Sequence, residues 1–213
     1  DEDTPASVTI SGADADAPTS PVRPYCILAL NQHRLSIRGI RVEYSGEQGR
    51  NNLSGAGILL DDDSSAEIIN CEAAYHTVGF RALGESFMQI SNCEVGPERA
   101  STITSRVPYG INYSWGSGGR ISGCNVHDVS TGVVISMTAW ANISDTTIDT
   151  SNIGVRVYIC AALTFGEPFC SISNVTKGCQ VERNAIINYA DEKVNYSNYT
   201  TRLNAIDGGL FWR

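Results

Sequence analysis

One repeated pattern limits what this chain can fold into. The sequence Ile-x-x-Cys occurs three times, at residues 68–71, 90–93 and 121–124, each time at the same place in a longer repeat. Two further segments, at 37–42 and 143–148, keep the spacing of the apolar residues but lack the cysteine. A repeat of more than 20 residues predicts a stacked array, in which each unit buries its apolar face against its neighbours.

A second motif accompanies the first. It is a glycine followed by three residues, and it begins at Gly57, Gly79, Gly110, Gly132 and Gly154. From the end of each of the first four copies to the next isoleucine, the step is eight residues. From each of these isoleucines, and from Ile37, to the following glycine the step is 11 residues in three coils and 20 in two. One coil therefore has about 22 residues, and two coils carry insertions at one corner, around residues 44–56 and 96–109. Insertions at one corner line up on one face, which is often the binding face.

The composition agrees with a single domain, residues 1–213, made of short strands. The chain has 20 glycines and 18% charged residues, a balance typical of strands joined by tight turns. A net charge of −8 argues against nucleic acid as a partner. The longest apolar run is too short for membrane insertion. Because the repeat is already running near Val8 and continues to Trp212, we expect a fragment of a longer solenoid.

Six sequons for N-linked glycosylation favour an extracellular location or a virion surface. They lie at Asn52, Asn112, Asn142, Asn174, Asn195 and Asn198. The alternative is that Asn, Ser and Thr are simply the turn residues of such a fold.

The cysteines fall into two groups. Cys71, Cys93 and Cys124 occupy equivalent positions, which predicts a buried column of free thiols. The later cysteines, at 160, 170 and 179, lie in an irregular stretch where one disulfide could fix a long loop. The sequence has no Cys-x-x-Cys pair, so it does not predict a structural zinc site.

These motifs resemble the pectate-lyase-like superfamily, which includes polysaccharide lyases, glycoside hydrolases, uronan epimerases and bacteriophage tailspikes. The resemblance implies an all-β fold, a right-handed single-stranded parallel β-helix of six to seven coils. It also implies that the Ile, Cys and Val of each repeat point inward, and that Asn70 and Asn92 mark a turn between two strands.

The resemblance further implies a surface for sugar chains. Strand alternation places one residue of each glycine motif outward, in a single row on successive coils. This row consists of Leu59, Arg81, Asn112, Val134 and Arg156. Alginate-type epimerases of the superfamily carry an Asp and a His on such a strand, and residues 109–113 have neither, so epimerase chemistry by that route is not predicted.

Aromatic side chains near the row are further candidates for sugar contact, because a flat ring covers the apolar face of a pyranose. Tyr109 and Trp115 flank the third-coil motif and are candidates for substrate binding. Tyr113 occupies an inward position, which predicts that it belongs to the core.

An acid pair lies just after the row. Asp63 and Glu85 each follow a motif glycine by six residues, so they should be neighbours on adjacent coils. Retaining glycosidases place two carboxyl groups at about that spacing. Asp61, Asp63 and Glu85 could equally bind calcium, and the remaining alternative is a solvated acidic turn. Calcium is the only cofactor that the sequence suggests.

Two histidines are candidates for a general base. His76 and His127 precede glycine motifs, and an imidazole titrates near neutral pH. A lyase also needs a cation to stabilise the enolate, a role open to Arg81 or Arg156. The alternative is that both histidines are hydrogen-bonded turn residues.

The sequence thus predicts an extracellular β-helix that recognises a polysaccharide and has candidate residues for cleaving it, as a phage tailspike or a secreted polysaccharide-degrading enzyme would. The partner would be a polysaccharide or a cell-surface glycan, and the assembly a homotrimer or part of a larger structure. The alternative is a non-catalytic structural or adhesive module of a glycosylated cell-surface protein.

Overall fold

The computed structural model describes residues 8–11, 25–43, 56–74, 76–96, 109–188 and 193–212. These residues form a parallel β-helix with three faces and no α-helix. The chain makes about six turns of roughly 24 residues, which confirms the predicted fold class. No helix in the described ranges is long and apolar enough to cross a membrane.

The strands of each coil follow one another around the three faces. Face 1 contains β2 (Tyr25–Leu30), β5 (Ala56–Asp61), β8 (Val78–Ala82), β11 (Tyr109–Tyr113) and β14 (Thr131–Ser136). Face 2 contains β3 (Leu35–Arg38), β6 (Ser65–Ile69), β9 (Phe87–Ser91), β12 (Gly118–Ser122), β15 (Trp140–Ser144), β17 (Ala162–Phe165), β19 (Ile186–Asn188) and β21 (Leu210–Trp212). Face 3 contains β1 (Val8–Ser11), β4 (Ile40–Glu43), β7 (Glu72–Ala74), β10 (Glu94–Val95) and β13 (Asn125–His127). Three long strands continue from face 3 into face 1: β16 (Thr147–Tyr158), β18 (Cys170–Glu182) and β20 (Val194–Ile206).

The repeated isoleucines stack on face 2. Ile68 pairs with Ile90, Ile90 with Ile121, and Ile121 with Ile143. Each of the four is at most 1% exposed, and burying such a side chain stabilises the fold by about 1.5–3 kcal/mol. The spacing of the isoleucines in the sequence therefore corresponds to the pairing of strands in the sheet.

The glycine of the second motif is required by space. A Cβ atom on Gly110 would lie 2.4 Å from Val126 Cγ1 and 2.6 Å from the carbonyl oxygen of Gly132. The glycines at 79, 132 and 154 meet the carbonyl oxygen of the next coil at similarly short distances. The coils therefore approach one another closely at the start of face 1.

Asn70 and Asn92 turn the chain from face 2 to face 3, as the sequence predicted. Their φ angles are 53° and 52°, in the left-handed region that asparagine tolerates better than most residues. Gly39, at φ 59°, occupies the same turn one coil earlier. The Asn70 N–H donates to Ser91 O at 3.1 Å, which ties this turn to the next coil.

Both predicted insertions fall mainly outside the described residues. Residues 44–55 and 97–108 are not described, but the residues beside them are. Those neighbouring residues end face 3 and begin face 1, so both insertions join the same two faces.

Six cysteines of the described ranges form no disulfide bond: Cys71, Cys93, Cys124, Cys160, Cys170 and Cys179. Cys71, Cys93 and Cys124 are each 3% exposed, which confirms the predicted buried column. The predicted disulfide among the later cysteines is wrong. Cys170 and Cys179 point into the core, where burial raises their thiol pKa values to about 11 and about 12. Cys160 is exposed at the turn between faces 1 and 2 and forms no disulfide bond.

Candidate functional site

The outward residues of face 1 form one continuous row, here called the outer row. The strand pairing aligns Leu59 with Arg81, Arg81 with Asn112, Asn112 with Val134, and Val134 with Arg156. The five predicted residues are therefore neighbours in the predicted order. The row continues in both directions through Leu28, Gln180 and Asn204.

The outer row is more covered than an open groove would be, which corrects part of the prediction. Leu59 is 6% exposed, Asn112 is 4% exposed and Val134 is fully buried. Leu59 belongs to an apolar cluster outside the main core, together with Ala56, Val78 and Leu83. Strand alternation shows that a side chain points away from the core, but it does not show whether other side chains cover it.

Two arginines and two tyrosines lie together on this face, and we call them the arginine–tyrosine cluster: Arg81, Tyr109, Arg156 and Tyr158. The guanidinium carbon of Arg156 lies 4.8 Å from the centroid of the Tyr158 ring, a cation–π contact. Burial raises the pKa of Tyr109, and Tyr158 adds to that rise, while Arg156 and Arg81 oppose it. The four side chains are therefore close enough to influence one another electrostatically.

Arg81 is held in a partly desolvated environment. Burial lowers the pKa of its guanidinium, against the opposing influence of Tyr109, Asp61 and Tyr158. An arginine remains charged despite such a shift because its ordinary pKa is above 12. A desolvated positive charge interacts more strongly with an anion than a fully hydrated one does.

Arg156 is fixed by a neighbouring acid that the sequence analysis missed. Its Nε–H donates to Glu182 Oε1 at 2.7 Å, and the side chain of Gln180 donates to the same oxygen. Burial raises the pKa of Glu182, but the hydrogen bonds from Arg156 and Gln180 outweigh it and hold the pKa below its usual value. Lys177 Nζ donates to Gln180 Oε1 at 2.9 Å and completes the network. A sixth glycine motif, which begins at Gly178, is the sequence feature that could have identified these residues.

The predicted acid pair lies on adjacent coils, as expected. Asp63 and Glu85 have φ angles of 58° and 63° in equivalent turns between faces 1 and 2. The Asp63 N–H donates to Gly84 O at 2.8 Å, and the Glu85 N–H donates to Trp115 O at 3.1 Å. Both acids are exposed, and Trp115 is 59% exposed in the same turn one coil further on. This corner therefore presents two carboxylates and an indole ring to solvent.

The predicted calcium ligands do not form a cluster. Within the described ranges, no three His, Cys, Asp or Glu side chains are placed to hold a metal ion, and this includes Asp61, Asp63 and Glu85. One carboxylate oxygen of Asp61 instead accepts a hydrogen bond from the Asp62 N–H at 2.9 Å.

His76 is not available as a surface base, which corrects the prediction. It is 5% exposed, and its Nε2 lies 2.8 Å from Val42 O, to which it donates. Burial lowers its pKa to about 4, so the ring is neutral at pH 7. Its ring lies close to Gly57, where a Cβ atom would be 2.9 Å from Nε2.

His127 lies on face 3 and binds two carboxylates. Its Nδ1 is 2.9 Å from Asp128 Oδ2, and its Nε2 is 3.0 Å from Glu94 Oε1. Burial lowers the pKa of this imidazole, but both hydrogen bonds raise it and the net shift is upward. Only the protonated ring can donate a hydrogen bond in both contacts. The contact with Glu94 links two successive coils.

The predicted glycosylation sites differ in exposure. Asn174, Asn195 and Asn198 are exposed, and Asn142 is half-buried on face 2. The Asn198 side chain donates to the amide oxygen of Asn174, so these two asparagines stack across coils. Asn52 lies outside the described residues.

A comparison with known protein families matches residues 25–206 to the family described as the right handed beta helix region. The chain therefore belongs to that family. The match is consistent with the pectate-lyase-like fold that the sequence motifs implied. A search of curated proteins found no match.

Proposed function

We propose that this β-helix binds an acidic polysaccharide on face 1, across the arginine–tyrosine cluster. The observation that carries the proposal is the placement of two guanidinium groups and two phenols around one outward row. The chain as a whole has a net charge of −8, so the attraction for an anionic ligand comes from these two guanidinium groups, of which Arg156 also pairs with Glu182.

The chemistry of the cluster matches carboxylated or sulfated sugars. An arginine can donate two parallel hydrogen bonds to one carboxylate or sulfate group. Glu182 engages Nε–H of Arg156 and so orients the guanidinium, which reduces the entropy lost when a ligand binds. Tyr109 and Tyr158 add flat rings with a polar tip, a combination suited to a pyranose ring and its hydroxyl groups.

A second candidate function, cleavage of the bound chain, is favoured by the corner that contains Asp63, Glu85 and Trp115. Two exposed carboxylates on adjacent coils suit a retaining hydrolase, in which one acid attacks the sugar and the other protonates the leaving oxygen. Replacing Asp63 with Asn and Glu85 with Gln should then abolish the release of reducing ends and leave binding intact. Release of unsaturated uronates by the doubly substituted protein would instead indicate a lyase that uses other residues.

The proposed setting is extracellular or on a virion surface, where such polysaccharides occur. The exposed sequon asparagines support it, because they are accessible to a glycosyltransferase. A homotrimer or a longer assembly would align several copies of face 1 along one glycan and increase the avidity.

The test measures binding to a panel of acidic and neutral polysaccharides by isothermal titration calorimetry. Replacing Arg81 and Arg156 with Ala should weaken binding to an acidic polysaccharide by about tenfold per arginine, the usual scale for a charged hydrogen bond. Added salt should weaken wild-type binding, since charge pairs are screened within about 10 Å at 0.1 M.

The matched control replaces Arg34 and Arg38, two exposed arginines outside face 1, with Ala. It makes the same change in net charge and should leave affinity unchanged. Equal losses of affinity in both double variants would show that net charge alone explains the effect and would contradict a defined binding site. A protein that binds none of the acidic polysaccharides would support the structural or adhesive alternative.

A further inference from the structure

Face 2 carries a second set of outward side chains, of different chemistry from face 1. One row aligns Phe87, Gly118 and Trp140 on three successive coils. The next row on the same strands aligns Gln89, Arg120 and Asn142, and it continues to Thr164. Face 2 therefore places an aromatic row beside a row of amide, guanidinium and hydroxyl groups.

The aromatic row is here called the aromatic platform: Phe87, Gly118 and Trp140. The two rings lie 5.9 Å apart between centroids at an interplanar angle of 43°. The indole lies over Gly118, because a Cβ atom there would come within 2.3 Å of Trp140 Cε2 and Nε1. Even so, Trp140 remains 45% exposed. Glycine at position 118 thus leaves room for the indole to lie over it, and almost half of Trp140 stays open to solvent.

We propose that the aromatic platform is a binding site for an uncharged polysaccharide. The apolar surface of a pyranose ring would stack on Trp140, and its hydroxyl groups would bond with the neighbouring row. Amides both donate and accept hydrogen bonds, which suits hydroxyl groups better than anions. The row carries opposite charges at Glu67 and Arg120, so it has no net charge to select an acidic chain.

Successive coils lie about 4.8 Å apart, so the polar row presents regularly spaced groups along the helix axis. A long glycan could therefore contact several coils at once. This site does not depend on the arginine–tyrosine cluster, which lies on another face, and either site could exist without the other.

The experiment uses the full chain and soluble neutral polysaccharides, namely mannan, dextran and a mixed-linkage β-glucan, in affinity electrophoresis and calorimetry. Replacing Trp140 with Ala should weaken binding to the recognised polysaccharide by about tenfold or more, as expected for a central aromatic contact. Replacing Gly118 with Ala keeps every tryptophan but displaces the indole, and it should also weaken binding. Affinity should change little between about 0.05 and 0.5 M salt, unlike binding to an acidic chain.

The matched control is Tyr199→Ala, which removes an aromatic side chain of similar exposure, 43%, from the strand that joins face 3 to face 1. It should bind as the wild type does. The proposal is overturned if none of the neutral polysaccharides binds, or if the Trp140 and Tyr199 variants lose affinity equally. It is also overturned if sedimentation shows that wild-type chains associate and the Trp140 variant does not, without glycan binding, because face 2 would then be a contact between copies.

Discussion

Replacing Gly132 with Ala tests whether the close approach of successive coils requires a glycine at the start of each face 1 strand. The added Cβ atom would lie 2.4 Å from Ile148 Cγ2 and 2.6 Å from the Gly154 carbonyl oxygen. Favourable contacts between non-bonded carbon atoms begin near 3.5 Å. The Ile148 methyl group can yield, but the Gly154 carbonyl lies between two paired positions of β14 and β16 and cannot move without disturbing them.

The expected loss of folding stability follows from the cost of overpacking this site. Forcing an extra carbon atom into a packed site costs about 1–3 kcal/mol. The smaller conformational freedom of alanine in the unfolded chain offsets about 0.4–1 kcal/mol of that cost. We expect a net loss of about 1–2 kcal/mol, which for a protein of this size lowers Tm by roughly 2–8 °C. Thermal and urea unfolding followed by circular dichroism would measure it.

The matched control is Gly39→Asn. A Cβ atom on Gly39 would have no heavy atom within 4 Å, and its φ of +59° is one that asparagine adopts at the equivalent turns of later coils. This variant should be as stable as the wild type within about 0.5 kcal/mol. If the Gly132 variant were as stable as the wild type, or the Gly39 variant lost as much, close approach of the coils would not explain the glycine motif.

Two further predictions concern buried and titrating groups. An aqueous thiol reagent should label Cys160 in the native protein and should reach Cys71, Cys93 and Cys124 only after unfolding; rapid native labelling of those three would contradict the inward column. Because the folded pKa of His127 is raised, its contribution to stability is complete below the unfolded pKa of about 6.5 and is lost as pH rises through the folded value. Substitution of His127 by Gln should therefore lower Tm more at pH 5 than at pH 8, and an equal loss at both would show that the carboxylate contacts do not depend on the proton.

The sequence predicted the fold well because the repeat and the register have the same physical cause. Side chains alternate along a strand and coils stack in parallel, so Ile68 and Ile90 must be neighbours if their motifs are equivalent. The motif at Gly178 was missed because the coil lengthens there. Leu163 and Ile187 are paired at a step of 24 residues, whereas Ile121 and Ile143 are paired at 22.

The candidate site was harder to predict, because exposure depends on contacts between coils. Asn112 and Val134 point outward as alternation requires, yet both are buried. His76 precedes a glycine motif in the sequence, but its ring is buried within the β-helix because Gly57 has no side chain to occupy that space. The pairing of Arg156 with Glu182 joins residues 26 positions apart, and the Trp140 indole can lie over position 118 only because residue 118 has no side chain.

A crystal structure with a bound acidic oligosaccharide would show whether an acidic glycan binds face 1. We predict density for the sugar across the arginine–tyrosine cluster, with a carboxylate or sulfate group within hydrogen-bond distance of the Arg81 or Arg156 guanidinium. A bound oligosaccharide that contacts only another face, with the arginine–tyrosine cluster unchanged, would contradict glycan binding on face 1.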